Sequence, residues 1–151
     1  MIKRILVDAD ACPVKEIIVL HAKKRNLPVI MYIDVNHQIN DGYSEVVIVD
    51  QGADSADFKL IASIREGDAV ITQDYGVAAI ALAKKASVIH QSGMLFTKHN
   101  IDTLLNDRYN SQKSRRMGKR TQGPKKRTKQ DDEMFEAALR KLLDSETVFE
   151  I

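Results

Sequence analysis

The chain has 151 residues, 44% hydrophobic and 29% charged, enough apolar material for one core, which excludes a chain disordered along its whole length. Its net charge is only +2, and no apolar run approaches bilayer length, so no membrane partner is expected. The opening MIKRILVDAD has too short an apolar run, broken by acids, for a secretory leader, and a cytoplasmic protein is expected.

In chain order, Ile5, Leu6 and Val7 form a short run typical of a buried parallel strand, cut off by Asp8, Ala9 and Asp10. Ligands of open α/β sheets bind at the carboxyl ends of the strands, where these two carboxylates fall. Period-two alternation places Asp8 and Asp10 on one side if the extended path continues. Asp10 is equally a candidate cap for a helix opening near Pro13. Cys12 is the single cysteine, which excludes an internal disulfide; it reads as a buried structural thiol.

Residues 13–25 have helical spacing at Val14, Ile17, Ile18 and His21, with Lys23, Lys24 and Arg25 at the end favoured by the dipole. His21 lacks a second ligand at i+4 and reads as a partly buried or surface residue. A second strand over 28–34 ends at Asp34, and the polar stretch 36–43, with His37, is a loop. A third strand over 45–50 ends at Asp50. A helix over 54–66 follows, with Asp54 as its natural cap and Asp54 and Asp57 on one face. Gly67 and Asp68 stop it. A fourth strand over 69–74 ends at Asp74, an Ala-rich helix follows Gly76, and 87–90 is a short fifth strand. This alternation implies an α/β fold with a mostly parallel sheet and right-handed crossovers.

Residues 100–112 predict another helix. From 113 to 129 come nine basic residues and no acid. Without those nine, 14 Lys and Arg remain against 21 Asp and Glu, so the body is net −7. The segment has Gly118, Gly123 and Pro124 and no apolar period, and reads as an arm. Its Arg115, Arg116, Lys119, Arg120, Lys125, Lys126 and Arg127 suit the phosphates of a nucleic acid, RNA in particular. No aromatic lies within it, so it offers no base stacking. From Thr128 the chain turns helical again, with Thr128 and Asp131 at capping-box spacing and Phe135, Leu139 and Leu142 as its stripe. The expected organisation is an α/β domain over 1–112, a basic arm over 113–127 and a C-terminal helix and tail over 128–151, packed on the same domain.

Four expected strands end in aspartate: Asp8, Asp34, Asp50 and Asp74. In a parallel sheet these ends share one rim, with Asp10, Asp54 and Asp57 just beyond it. Converging carboxylates repel unless a cation compensates, and Mg²⁺ or Mn²⁺ is the expected cofactor. Asp8, Asp10 and Asp74 are the candidate catalytic residues. The candidate metal ligands are the same three with Asp57 and Asp54, the last mainly a cap. Asp34 and Asp50 are read as structural. Capping accounts for any single aspartate, but less easily for the doubled patterns Asp8 with Asp10 and Asp54 with Asp57.

Four pieces carry a resemblance: DADACPVK at 8–15, GADSADF at 52–58, ITQDYGVAA at 71–79 and GPKKRT at 123–128. Together they resemble the YaiI/YqxD family of bacterial proteins, whose fold is grouped with the PIN-like nucleases. The resemblance implies a three-layer PIN-like fold and an acidic rim that binds Mg²⁺ or Mn²⁺ and cleaves RNA. It implies roles for Asp8, for Asp57 or Asp54, and for Asp74. An Asp pair stands where many PIN domains present a Glu. The expected function is a metal-dependent nuclease of RNA or structured nucleic acid. The alternatives are a DxD phosphatase, with Asp8 as nucleophile and Asp10 as acid/base, and a non-catalytic RNA-binding protein.

Overall fold

The structure is a computed structural model that describes residues 1–10, 12–34, 38–49, 55–107 and 126–145, without the side chains of 55–57. Six strands form one sheet: β1 (Arg4–Asp8), β2 (Val29–Asp34), β3 (Glu45–Val49), β4 (Asp68–Ile71), β5 (Ser87–Ile89) and β6 (Leu95–Phe96). Their order is β3-β2-β1-β4-β5-β6. The first five are parallel, and β6 pairs antiparallel with β5. The helices are α1 (Lys15–Lys24), α2 (Ser55–Ser63), α3 (Tyr75–Ala83), α4 (101–107) and α5 (Lys129–Leu143).

The alternation within each strand divides the core in two. Ile5 and Val7 of β1, Met31 and Ile33 of β2, and Ile71 of β4 pack with Ile18 and Ala22 of α1 and Phe135, Leu139 and Leu142 of α5. Leu6, Tyr32, Val70 and Val88 face the other way, against Leu60 of α2, Val77 and Ala81 of α3, and Ile101 of α4. Helices therefore cover both faces of a mostly parallel sheet, as strands apolar on both sides require.

The expected C-terminal helix is present. Thr128 and Asp131 form a reciprocal capping box, and Phe135, Leu139 and Leu142 are fully buried. Each such side chain contributes about 1.5–3 kcal/mol relative to exposure. A hydrogen bond and an ion pair fasten α5 to α1: His21 Nε2 meets Glu136 at 2.8 Å, and Arg25 Nε, just past α1, meets Asp144 at 2.7 Å. His21 is thus a buried inter-helix contact rather than a surface residue.

Two local expectations are corrected, and one strand is added to those expected. The N-cap of α1 is Val14, with no side-chain capping bond, so Asp10 does not cap that helix. Strand β4 begins at Asp68 and ends at Ile71; Asp74 lies beyond it as the N-cap of α3. Strand β6 was not foreseen. It is formed by a tight hairpin in which His90 N–H donates to Met94 O at 2.8 Å and Gly93 turns the chain with φ +94. Among the described residues no helix is long and apolar enough to cross a membrane.

Candidate functional site at the carboxyl edge of the sheet

The sheet order reverses between β1 and β4, because β2 and β3 lie to one side of β1 while β4 and β5 lie to the other. In open α/β sheets ligands bind at such a point, outside the carboxyl ends of the strands. Val7 is in register with Ile71, so the next residues, Asp8 and Thr72, stand side by side at that end. Thr72 is buried, and its Oγ1 donates to Asp8 Oδ2 at 3.0 Å while accepting the Asp74 N–H at 3.0 Å. One hydroxyl therefore joins the acid ending β1 to the acid opening α3. Asp74 Oδ1 accepts the N–H groups of Gly76 at 2.8 Å and Val77 at 3.1 Å, which fixes its carboxylate at the positive end of α3. Gly76 permits this approach: a Cβ there would lie 3.1 Å from Asp74 Oδ1.

Asp10 turns the other way. Its Oδ1 accepts the N–H of Asp34, at the end of β2, over 3.4 Å. Asp8 and Asp10 thus bond to opposite neighbours of β1. Asp34 ends β2 as expected. Asp50 and Asp54 lie outside the described residues, as does the side chain of Asp57.

The two edges of the sheet use aspartate differently. At the amino edge Asp68 is buried and takes a two-bond grip from Arg4, Nε to Oδ1 at 2.7 Å and the second nitrogen to Oδ2 at 3.0 Å, with Arg65 N–H at 2.8 Å. That acid is held by cation and backbone together, and it raises the pKa of Arg4 through their hydrogen bond. On the carboxyl edge Asp8 accepts from the Thr72 hydroxyl, while Asp10 and Asp74 accept from backbone N–H groups.

Cys12 is buried, and burial pushes its thiol pKa up, against smaller lowering contributions from the Val14 backbone and Lys15. A thiol held protonated is a poor nucleophile, so it reads as packing. Of the expected basic residues, Arg115, Arg116, Lys119, Arg120 and Lys125 lie outside the described residues, as does His37. Lys126 is exposed. Arg127 bonds Asp132 at 2.6 Å and donates to Gln91 O at 2.8 Å, so the basic segment rejoins the fold just past the end of β5, on the acidic edge.

Thr72, Tyr75 and His90 belong to this edge and were not foreseen. Alternation from Val70 places Thr72 on the face that Asp8 shares with Leu6, but only the β1–β4 register makes the two neighbours. Thr72 N–H donates to Ile89 O at 3.2 Å, bringing His90 alongside.

Mg²⁺ commonly takes one or two protein carboxylates, with water and substrate phosphate completing an oxygen shell. Asp8 and Asp74 supply the oxygen type such an ion takes, and Thr72 links the Asp8 carboxylate to the Asp74 backbone N–H. It is not a protein cage: among the described residues no three His, Cys, Asp or Glu gather closely enough to hold an ion.

Fold and edge together define a class, a doubly wound α/β domain with carboxylates at its switch point. The chain belongs to the family described as "Uncharacterized BCR, YaiI/YqxD family", whose sequence pattern matches residues 6–145. It is 56% identical to a UPF0178 protein of Ruminiclostridium cellulolyticum over 136 residues, 90% of this chain and 89% of that one. It is 49% identical to a UPF0178 protein of Clostridium acetobutylicum over 142 residues, covering 93% and 96%. A UPF0178 protein of Alkaliphilus oremlandii is 52% identical over 141 residues, covering 93% and 91%. No solved structure matches the chain.

Proposed function

We propose that the protein is a Mg²⁺- or Mn²⁺-dependent nuclease that hydrolyses phosphodiester bonds of RNA or structured nucleic acid. The observation that carries this reading is the Thr72 bridge, which sets Asp8 beside the Asp74 backbone at the switch point of the sheet. Asp8 and Asp74 would hold the ion, with Asp54 and Asp57 as further candidates; Asp10, whose carboxylate bonds toward β2, stands apart from this pair. A bound divalent ion supplies an acidified water and neutralises charge on the phosphate.

The chain's own residues orient and bind. Thr72 fixes the Asp8 carboxylate, and two backbone N–H groups fix that of Asp74. Lys126 is exposed and would neutralise phosphate, and the basic residues before it in the sequence are further candidates for that role. The DxD phosphatase reading is less favoured, because Asp8 and Asp10 hydrogen-bond to opposite sides of β1.

The test is cleavage of labelled single-stranded, duplex and hairpin RNA with Mn²⁺, alongside calorimetric Mn²⁺ titration. Wild-type protein should cleave and bind metal, and Asp8→Asn should do neither. Absence of both cleavage and metal binding in wild type refutes the proposal. RNA binding without either would leave the non-catalytic reading in its place.

A further inference from the structure

One cation at the acidic edge has no structural task. Lys15 is half-buried and is the first residue of α1, the helix that follows β1. The positive end of the helix dipole disfavours a cation there, whereas Lys23 and Lys24 of the same helix stand in its last turn, where the dipole favours them. Among the described residues no carboxylate lies within ion-pair distance of the Lys15 ammonium. Its one hydrogen bond there is to Ala9 O at 3.5 Å, beyond the usual range for such a bond. A residue that breaks a local rule with no compensating contact marks a place to look for function.

The long bond nevertheless locates the ammonium. Ala9 lies between Asp8 and Asp10, just past the end of β1, so Lys15 reaches the chain between the two acids. Burial raises the pKa of the Cys12 thiol; among the smaller effects on it, Lys15 lowers the value and Asp8 raises it, so both charges stand around this one side chain. Lys15 also lines a cavity of about 400 Å³ between α1 and residues 38–41, together with Val19, Leu20 and Ile39. Its side chain therefore borders the acidic edge on one side and open space on another.

We infer that Lys15 is a substrate-binding residue of this edge, whose ammonium takes a non-bridging oxygen of the phosphodiester that meets the ion at Asp8 and Asp74. The inference rests on the nuclease reading, and it narrows the substrate to phosphate in its singly charged, diester form. Two carboxylates and a divalent ion cancel, so an entering diester brings one uncompensated negative charge to a partly buried edge. One ammonium cancels it. A phosphate monoester carries close to two charges at neutral pH and would leave a surplus. Lysine suits the task as a compact point charge with three rotatable donors, which needs no fixed angle of approach.

Binding of a labelled single-stranded oligoribonucleotide is measured by fluorescence polarisation over a series of salt concentrations, with Ca²⁺ in place of Mg²⁺. Ca²⁺ takes carboxylate oxygens without the strict octahedral shell of Mg²⁺. Lys15→Gln should weaken binding about tenfold. It should also lower the slope of log affinity against log salt by about 0.7, the share of one phosphate contact on a single strand. Lys15→Arg keeps the charge and should keep the slope. Lys24→Gln removes an equal charge from the far end of α1 and should change neither quantity. A wild-type slope in Lys15→Gln overturns the inference, and so does an equal change in Lys24→Gln, which would trace the effect to overall charge. Should Lys15→Gln fail to fold, a slope reduced in Lys15→Arg refutes it instead. Wild type without salt-dependent RNA affinity, or tighter competition by a nucleoside monophosphate than by its methyl diester, overturns it as well. A Lys15-dependent slope in a protein that neither cleaves RNA nor binds Mn²⁺ keeps the phosphate contact and removes the nuclease reading; cleavage by Lys15→Gln with unchanged KM does the reverse.

Discussion

Replacing Gly93 by alanine tests how the β5–β6 hairpin is seated on α5. Gly93 has φ +94, a region side chains seldom adopt, and a Cβ there would lie 2.9 Å from the carbonyl oxygen of Met134 and 3.3 Å from Phe135 Cα. Two costs follow. The backbone conformation costs a residue with a Cβ about 1–2 kcal/mol. Forcing a methyl against helix backbone, which cannot yield as a flexible side chain would, costs about a further 1–3 kcal/mol. Gly42 separates the two, since it has φ +73 and nothing within 4 Å of a built Cβ. Gly42→Ala should therefore lose only the first contribution, about 1–2 kcal/mol, and Gly93→Ala about 2–5 kcal/mol. Urea unfolding followed by circular dichroism measures both. If the two variants lose equal stability, the hairpin does not abut the helix, and the anchoring of Arg127 at Gln91 loses its support.

Further predictions concern the amino edge and the rim histidine. Arg4→Met should cost about 2–4 kcal/mol, less than for a fully enclosed pair because Arg4 is partly exposed, by leaving the buried Asp68 carboxylate without its cation; unchanged stability in the same urea titration would show the pair to be dispensable. For His90 the folded pKa lies below the ordinary value, so below about pH 6.5 the unfolded chain binds more protons and stability falls as pH drops. His90→Gln should flatten that fall between about pH 7 and 5. A variant tracking wild type through this window would exclude the histidine as its source.

Local signals were readable, and contacts between distant residues were not. The capping box at Thr128 and the stripe at Phe135, Leu139 and Leu142 lie within one helix, and both stand as expected. The strand alternation with helices likewise led to the parallel sheet. Asp74 was misplaced because Ile71, Thr72 and Gln73 continue a strand-like alternation with no breaker before it. Asp68 looked like a helix stop, since its partner Arg4 lies 64 residues away. His21 looked solitary for the same reason, with Glu136 at a separation of 115 residues. The two-residue β6 is too short for any period, although Ser92–Gly93 was a turn signal. Tyr75, His90 and Phe96 meet only through the β4–β5 pairing and the hairpin, so no spacing along the chain could group them.

The seat of α5 beside the first helix has a consequence for synthesis on the ribosome. Ile18 and Ala22 of α1 share their core with Phe135, Leu139 and Leu142, residues made more than a hundred positions later. Until those emerge, one face of the earliest layer stays wet, and the sheet has only half its cover there. The nascent chain must therefore travel most of its length as an incomplete sandwich, with the basic segment already translated before the closing helix arrives.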